Sequence, residues 1–263
     1  MAQSLKFSSI GHGTPIVLLH GWGLNSGVFE PLAVKLGERF KVISIDLPGY
    51  GDNVDCLPAH YQLAELAELV YQSVAEPAVY LGWSLGGLVA TQIARTARQT
   101  DVLGLVHVAT SPYFVEAHDW PGIKPELLAT FHQQLAKDIG KTLSGFLKIQ
   151  AMGSSHIKED IRQIQQLVMA KPLPNRKALE QGLHILASAD TRADLAQITM
   201  PFLRMYGKMD SLVPKKVINL VDSLATNSDL VVFDKASHAP FISNFQEFVE
   251  HLNAWLSDNT GHY

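Results

Sequence analysis

Gly82-Trp83-Ser84-Leu85-Gly86, followed by Gly87, closes the apolar run Ala78–Gly82 and opens the helix-period run Leu85–Thr96. A serine on so sharp a strand-to-helix turn has strained backbone angles, and small residues two positions to either side keep their side chains from colliding. The turn lifts the hydroxyl into a cleft and aims the first N–H groups of the helix at whatever the hydroxyl attacks. Alone, a Gly-x-Ser-x-Gly pentapeptide is a weak mark. Its position between a strand and a helix makes Ser84 a candidate nucleophile.

Outward from this turn, short β-branched runs alternate with longer helix-period runs, the pattern of an α/β fold with a mostly parallel sheet flanked by helices. Strands are expected at Pro15–His20, Lys41–Asp46, Ala78–Gly82, Val102–Ala109, Phe202–Tyr206 and Asp229–Asp234, with an edge strand around Leu5–Ile10. Helices are expected at Val28–Arg39, Tyr61–Ala75, Leu85–Thr96, Lys215–Leu224 and Phe245–Leu256. From about Tyr113 to Gly182 the alternation stops, and the pattern is helical and broken by Pro121, Pro125, Pro172 and Pro174. The chain therefore reads as a core of residues 1–112 and 183–263 with a helical lid at 113–182, lying over the carboxyl edge of the sheet where such folds bind ligands.

The 263 residues suffice for one large core with an insertion. A net charge of −4 argues against general nucleic-acid binding. The single cysteine, Cys56, excludes an internal disulfide and suits a reducing compartment. The opening Met1–Phe7 lacks the apolar core of a secretory signal, and no run approaches a membrane span, so a soluble cytoplasmic protein is expected.

A serine hydroxyl needs a base to take its proton and an acid to orient that base. On scaffolds with this turn the partners follow in the order serine, acid, histidine. Asp210 follows the strand Phe202–Tyr206, and His238 follows the strand Asp229–Asp234, so both fall at the same sheet edge as Ser84. Asp234 is a neighbouring carboxylate that sequence alone does not eliminate. Two backbone donors are needed for an oxyanion: the residue after the serine, Leu85, and Trp22 in the loop His20-Gly21-Trp22-Gly23. His20 is expected to brace that loop and Asp46 to order its own. His107 lies inside a strand, and the remaining histidines show no metal-ligand spacing.

These residues resemble the α/β-hydrolase superfamily across nearly the whole chain. The likeness is closer still to bacterial pimeloyl-[acyl-carrier protein] methyl ester esterases of biotin synthesis. It is carried by Leu18-Leu-His-Gly-Trp-Gly-Leu-Asn25, Leu81-Gly-Trp-Ser-Leu-Gly-Gly-Leu88, Ala109-Thr-Ser-Pro112, Phe146-Leu-Lys-Ile-Gln150, Met200-Pro-Phe-Leu-Arg-Met-Tyr-Gly207 and Ala239-Pro-Phe-Ile-Ser243. The resemblance implies Ser84 as nucleophile, Asp210 as orienting acid and His238 as base, with Trp22 and Leu85 against the ester carbonyl. It further implies that Phe146, Leu147, Lys148, Ile149 and Gln150 line the acyl chain and that no cofactor is needed; a monomer without a metal is expected. The substrate would be a pimeloyl methyl ester carried on acyl carrier protein, cleaved to the free carboxylate and methanol.

Lys141, Lys158 and Arg162 match family positions that contact the carrier, while Gly145 stands where relatives can have another basic residue. From Lys137 to Lys177 eight basic residues face three acidic ones, a balance of +5 against −9 for the rest. A basic lid on an acidic body suits an acidic partner, although a solvated helix face would carry the same charges. Ser237 departs from the glycine common before the histidine, a change expected to leave the mechanism alone. Competing readings are a broad short-chain esterase, a C–C hydrolase, a prolyl aminopeptidase, or a non-catalytic ligand receptor; a haloalkane dehalogenase would need Asp in place of Ser84.

Overall fold

The computed structural model describes residues 4–154 and 156–260. Its sheet has seven strands: β1 (Phe7–Ile10), β2 (Pro15–Leu19), β3 (Lys41–Ile45), β4 (Ala78–Trp83), β5 (Val102–Val108), β6 (Phe202–Gly207) and β7 (Ser228–Phe233), in the order β1-β3-β2-β4-β5-β6-β7. All neighbours pair in parallel except β1, which runs antiparallel to β3 at the edge. Strand order reverses at β2, which lies between β3 and β4, and ligands bind beyond the strand carboxyl ends at such a reversal.

Pairing in the sheet places the loops. Leu19 stands opposite Gly82, so the loop after β2 emerges beside the Ser84 turn. Gly207 stands opposite Phe233, so the loops carrying Asp210 and His238 emerge side by side. The central strands read as continuous apolar runs because both faces are covered: Val17, Leu19, Tyr80 and Leu105 pack into one core, and Ile16, Leu18, Val79 and Leu81 into the other.

The core helices are α1 (Glu30–Leu36), α2 (Leu63–Ser73), α3 (Leu85–Thr96), α8 (Arg192–Leu195), α9 (Lys215–Leu224), α10 (Pro240–Ser243) and α11 (Phe245–Thr260). The helix expected over Val28–Arg39 is shorter. Asn25 caps a tight turn at Ser26–Phe29, and the α-helix begins at Glu30 with Pro31 in its first turn, where proline's missing N–H costs nothing. The last helix runs beyond Leu256 to Thr260, whose hydroxyl bonds the Leu256 carbonyl.

Between β5 and α8 lie α4 (Pro125–Lys137), α5 (Ile139–Ala151), α6 (Ile157–Val168) and α7 (Arg176–Ser188). Residue 182 falls inside α7, so this helix passes through the limit read from the sequence. The lid entrance also carries isolated bridges, Tyr113 with Asp190 and Val115 with Ile123. Among the described residues no helix is long and apolar enough to cross a membrane.

Candidate active site

Ser84 has φ 56° and ψ −118°, a left-handed conformation that costs a non-glycine residue energy and is tolerated where the surroundings dictate it. The flanking glycines are dictated by contact. A Cβ on Gly82 would sit 2.2 Å from the Gly86 carbonyl oxygen, and one on Gly86 would sit 2.2 Å from the Leu19 oxygen. The bend thus closes β4 onto α3 and against β2 with no room for any side chain at either position.

His238 lies against this turn. Its ring centroid is 5.8 Å from that of Trp83, and Trp83 Nε1 donates to the His238 carbonyl at 2.7 Å. On the other side His238 Nδ1 is 2.7 Å from Asp210 Oδ2, with both side chains buried. The second oxygen, Asp210 Oδ1, accepts from the N–H groups of Leu212 (2.8 Å) and Val213 (3.1 Å). The carboxylate is therefore locked from behind, and Nδ1 is the ring nitrogen that donates to it. That tautomer leaves Nε2 as the acceptor, and Nε2 is buried with no hydrogen-bond partner among the described residues. Asp234 is excluded as the partner: it sits at the surface, paired with Lys208 at 2.7 Å, which holds its carboxyl below the usual range.

The loop after β2 passes directly beside the serine, since a Cβ on Gly21 would lie 3.3 Å from Ser84 Cβ. His20 braces it as expected: Nδ1 donates to the Gly21 carbonyl (2.8 Å) and Nε2 accepts from the Leu47 N–H (3.0 Å). Burial, opposed by the Asp46 charge, keeps His20 neutral by lowering its pKa. Leu85 opens α3, so its N–H has no carbonyl one turn back and is free for a ligand. Trp22 is fully buried; its ring meets Phe146 edge-on at 4.7 Å, and its Nε1 donates to the Leu179 carbonyl at 2.9 Å. The tryptophan thus bridges the core loop to α5 and α7 of the lid.

Of the five α5 residues expected to line a ligand, Phe146 and Gln150 lie one helical turn apart and are both buried. The amide nitrogen and oxygen of Gln150 are buried without partners among the described residues. Leu147 packs into the second core, Ile149 is half-buried, and Lys148 is exposed. A helix cannot turn five consecutive side chains one way, which the contiguous sequence block does not reveal. Lys141 on α5 and Lys158 and Arg162 on α6 are exposed, the latter two at i and i+4 on one face.

Two interactions were not legible in advance. Lys171, between α6 and α7, places Nζ 2.7 Å from Asp46 Oδ2, 2.6 Å from Asp52 Oδ2 and 3.0 Å from Ser26 Oγ. Burial disfavours the Asp46 charge, but this ammonium and the N–H groups of Ser26 and Asp52 stabilise it, and the carboxyl's pKa lies below its ordinary value. The second involves Ser237, whose hydroxyl reaches the Gln150 carbonyl (2.9 Å) and the Met152 carbonyl (2.7 Å). No cluster of three His, Cys, Asp or Glu suited to a metal occurs among the described residues.

A family model for the alpha/beta hydrolase fold matches residues 14–245. A pimeloyl-[acyl-carrier protein] methyl ester esterase of Aliivibrio salmonicida is 44% identical over 256 residues, covering 97% of each chain. Its counterpart in Pseudoalteromonas atlantica is 46% identical over 250 residues, covering 95% of this chain and 96% of that one. Among solved structures, an esterase from Exiguobacterium antarcticum superposes with a TM-score of 0.86 at 26% identity, covering 96% of this chain and 95% of its own.

Proposed function

This chain belongs to the α/β-hydrolase fold family and, within it, to the pimeloyl-[acyl-carrier protein] methyl ester esterases, and on that premise we propose that it hydrolyses the methyl ester of a pimeloyl chain borne on acyl carrier protein. It is a carboxylic ester hydrolase of the serine type. The observation that carries the chemistry is the buried His238–Asp210 pair set against the strained Ser84 turn.

In this reading Ser84 Oγ turns toward Nε2 of His238, gives up its proton there and attacks the ester carbonyl. The carbonyl oxygen, now negative, is held by the N–H groups of Trp22 and Leu85. His238 protonates the departing methanol, an acyl-enzyme forms on Ser84, and water repeats the sequence to release the carboxylate. Asp210 fixes the imidazole tautomer and stabilises the imidazolium. No cofactor is needed. Phe146 and Gln150, from α5, bound the acyl chain, the phenyl ring supplying apolar surface and the unpartnered amide a donor and an acceptor.

Lys141, Lys158 and Arg162 form the docking face for the acidic carrier, with Lys148 exposed on the same helix as Lys141. In this reading the enzyme serves biotin synthesis as a cytoplasmic monomer, and the lone Cys56, which suits a reducing compartment, supports the cytoplasmic part of it. The test is to incubate the enzyme with pimeloyl methyl ester on its carrier and weigh the product. A loss equal to one methylene is expected, and none with Ser84→Ala; an unchanged mass with active enzyme would reject the substrate.

A further inference from the structure

We propose that Ser237 is a positioning residue through which the lid sets the imidazole of His238. The proposal rests on the esterase reading for its consequence, not for its geometry. Helix α5 ends at Ala151, and the last carbonyls of any helix lack intrahelical partners. Here the Ile149 and Ala151 carbonyls accept from the N–H groups of Met152 and Ser154, and the Gln150 carbonyl is taken up by the histidine loop. The Gln150 carbonyl accepts from the His238 N–H (3.2 Å) and from the Ser237 hydroxyl (2.9 Å), and that hydroxyl also reaches the Met152 carbonyl (2.7 Å). A hydroxyl has one proton, so the two carbonyls share it. Ser237 is only 3% exposed, which leaves little access for water to replace it.

On its other side the loop is already fixed to the core. Met209 N–H donates to the Ala236 carbonyl at 2.9 Å, and a Cβ on Gly207 would lie 2.0 Å from the Ser237 carbonyl oxygen. The His238 carbonyl is held by Trp83 and its Nδ1 by Asp210. The main-chain N–H of His238 is thus the one of these anchors that faces the lid, and the neighbouring hydroxyl reinforces it on the same acceptor. Glycine or alanine at 237 would leave the Gln150 carbonyl to the histidine N–H alone. The imidazole would then gain freedom about its backbone, and a misplacement of about 1 Å in a reacting group can cost about 10²-fold in rate.

The experiment uses the full-length enzyme with Ser237→Ala and Ser237→Thr, reading kcat and KM on a short p-nitrophenyl ester and the low-field proton NMR signal of the His238–Asp210 hydrogen bond. With alanine, kcat is expected to fall about tenfold, as small misplacements of reacting groups do, with KM within about twofold and the low-field signal broadened. Threonine, which keeps the hydroxyl, should restore kcat toward the parent. Parental kcat in the alanine variant, a raised KM alone, or a sharp unshifted signal would overturn the proposal, whatever happens to thermal stability. The signal is read without substrate, so it separates this outcome from a failure of the esterase reading, which Ser84→Ala retaining turnover would reveal.

Discussion

Asp210 accepts two backbone N–H groups on Oδ1 and the His238 imidazole on Oδ2, at 2.7 Å, so the ring orientation of His238 is inherited from the turn at Leu212–Val213. The turn fixes the carboxylate, the carboxylate fixes the tautomer, and the tautomer leaves Nε2 as a buried acceptor with no partner among the described residues.

Asp210→Asn tests that chain of dependence. The asparagine oxygen can still accept from Leu212 and Val213, so the fold is expected to hold, but its amide presents N–H to Nδ1 and favours the wrong tautomer. Turnover of a short aryl ester should fall by about 10⁴-fold, as in serine proteases that share the arrangement. A loss of less than tenfold with an intact fold would move the orienting role elsewhere.

Charge reversal on the lid separates recognition from chemistry. With Lys141, Lys158 and Arg162 all changed to Glu, kcat/KM for the carrier-bound ester should drop more than about tenfold at low ionic strength and converge toward the parent in high salt, because steering by exposed charges is screened. Hydrolysis of a free methyl ester should stay within about twofold. Equal losses on both substrates would reject a docking role.

Stability should decline as pH falls below about 6.5. Burial lowers the pKa of His20 despite the nearby Asp46 charge, and burial together with Arg204 takes His107 down to about 3. Both folded values lie below the unfolded one, so the unfolded chain binds more protons in this window, and the stabilisation present above it is lost on acidification. Each histidine can contribute up to about 1.4 kcal/mol per pH unit. Urea unfolding at pH 7.5 and pH 5 reads the slope, and His107→Gln should flatten it; an unchanged slope in that variant would contradict the assignment.

The Ser84 turn and the sheet were legible because each depends on local chemistry. Gly82 and Gly86 announce a close approach, and the strands announce themselves by unbroken apolar runs. Val28–Arg39 was harder, although Asn25 and Pro31 carry the local signals of a turn followed by a helix start. The choice between Asp210 and Asp234 needed three dimensions, since both follow strand ends and only the path of each loop decides which meets His238. Ser237 and Lys171 were opaque for a stronger reason: their partners lie 85 and 125 residues away, and nothing in either neighbourhood encodes the encounter.

Lys171 has one more effect. Its ammonium joins Ser26, Asp46 and Asp52, three points on the first two crossovers of the core, while the end of α5 is stitched to the histidine loop and α7 receives the Trp22 indole. The insertion is moored along most of its course, and α4 stands apart, packing chiefly on α5 and α7. Of the four inserted helices, α4 is therefore the one whose displacement would break none of these side-chain bonds to the core.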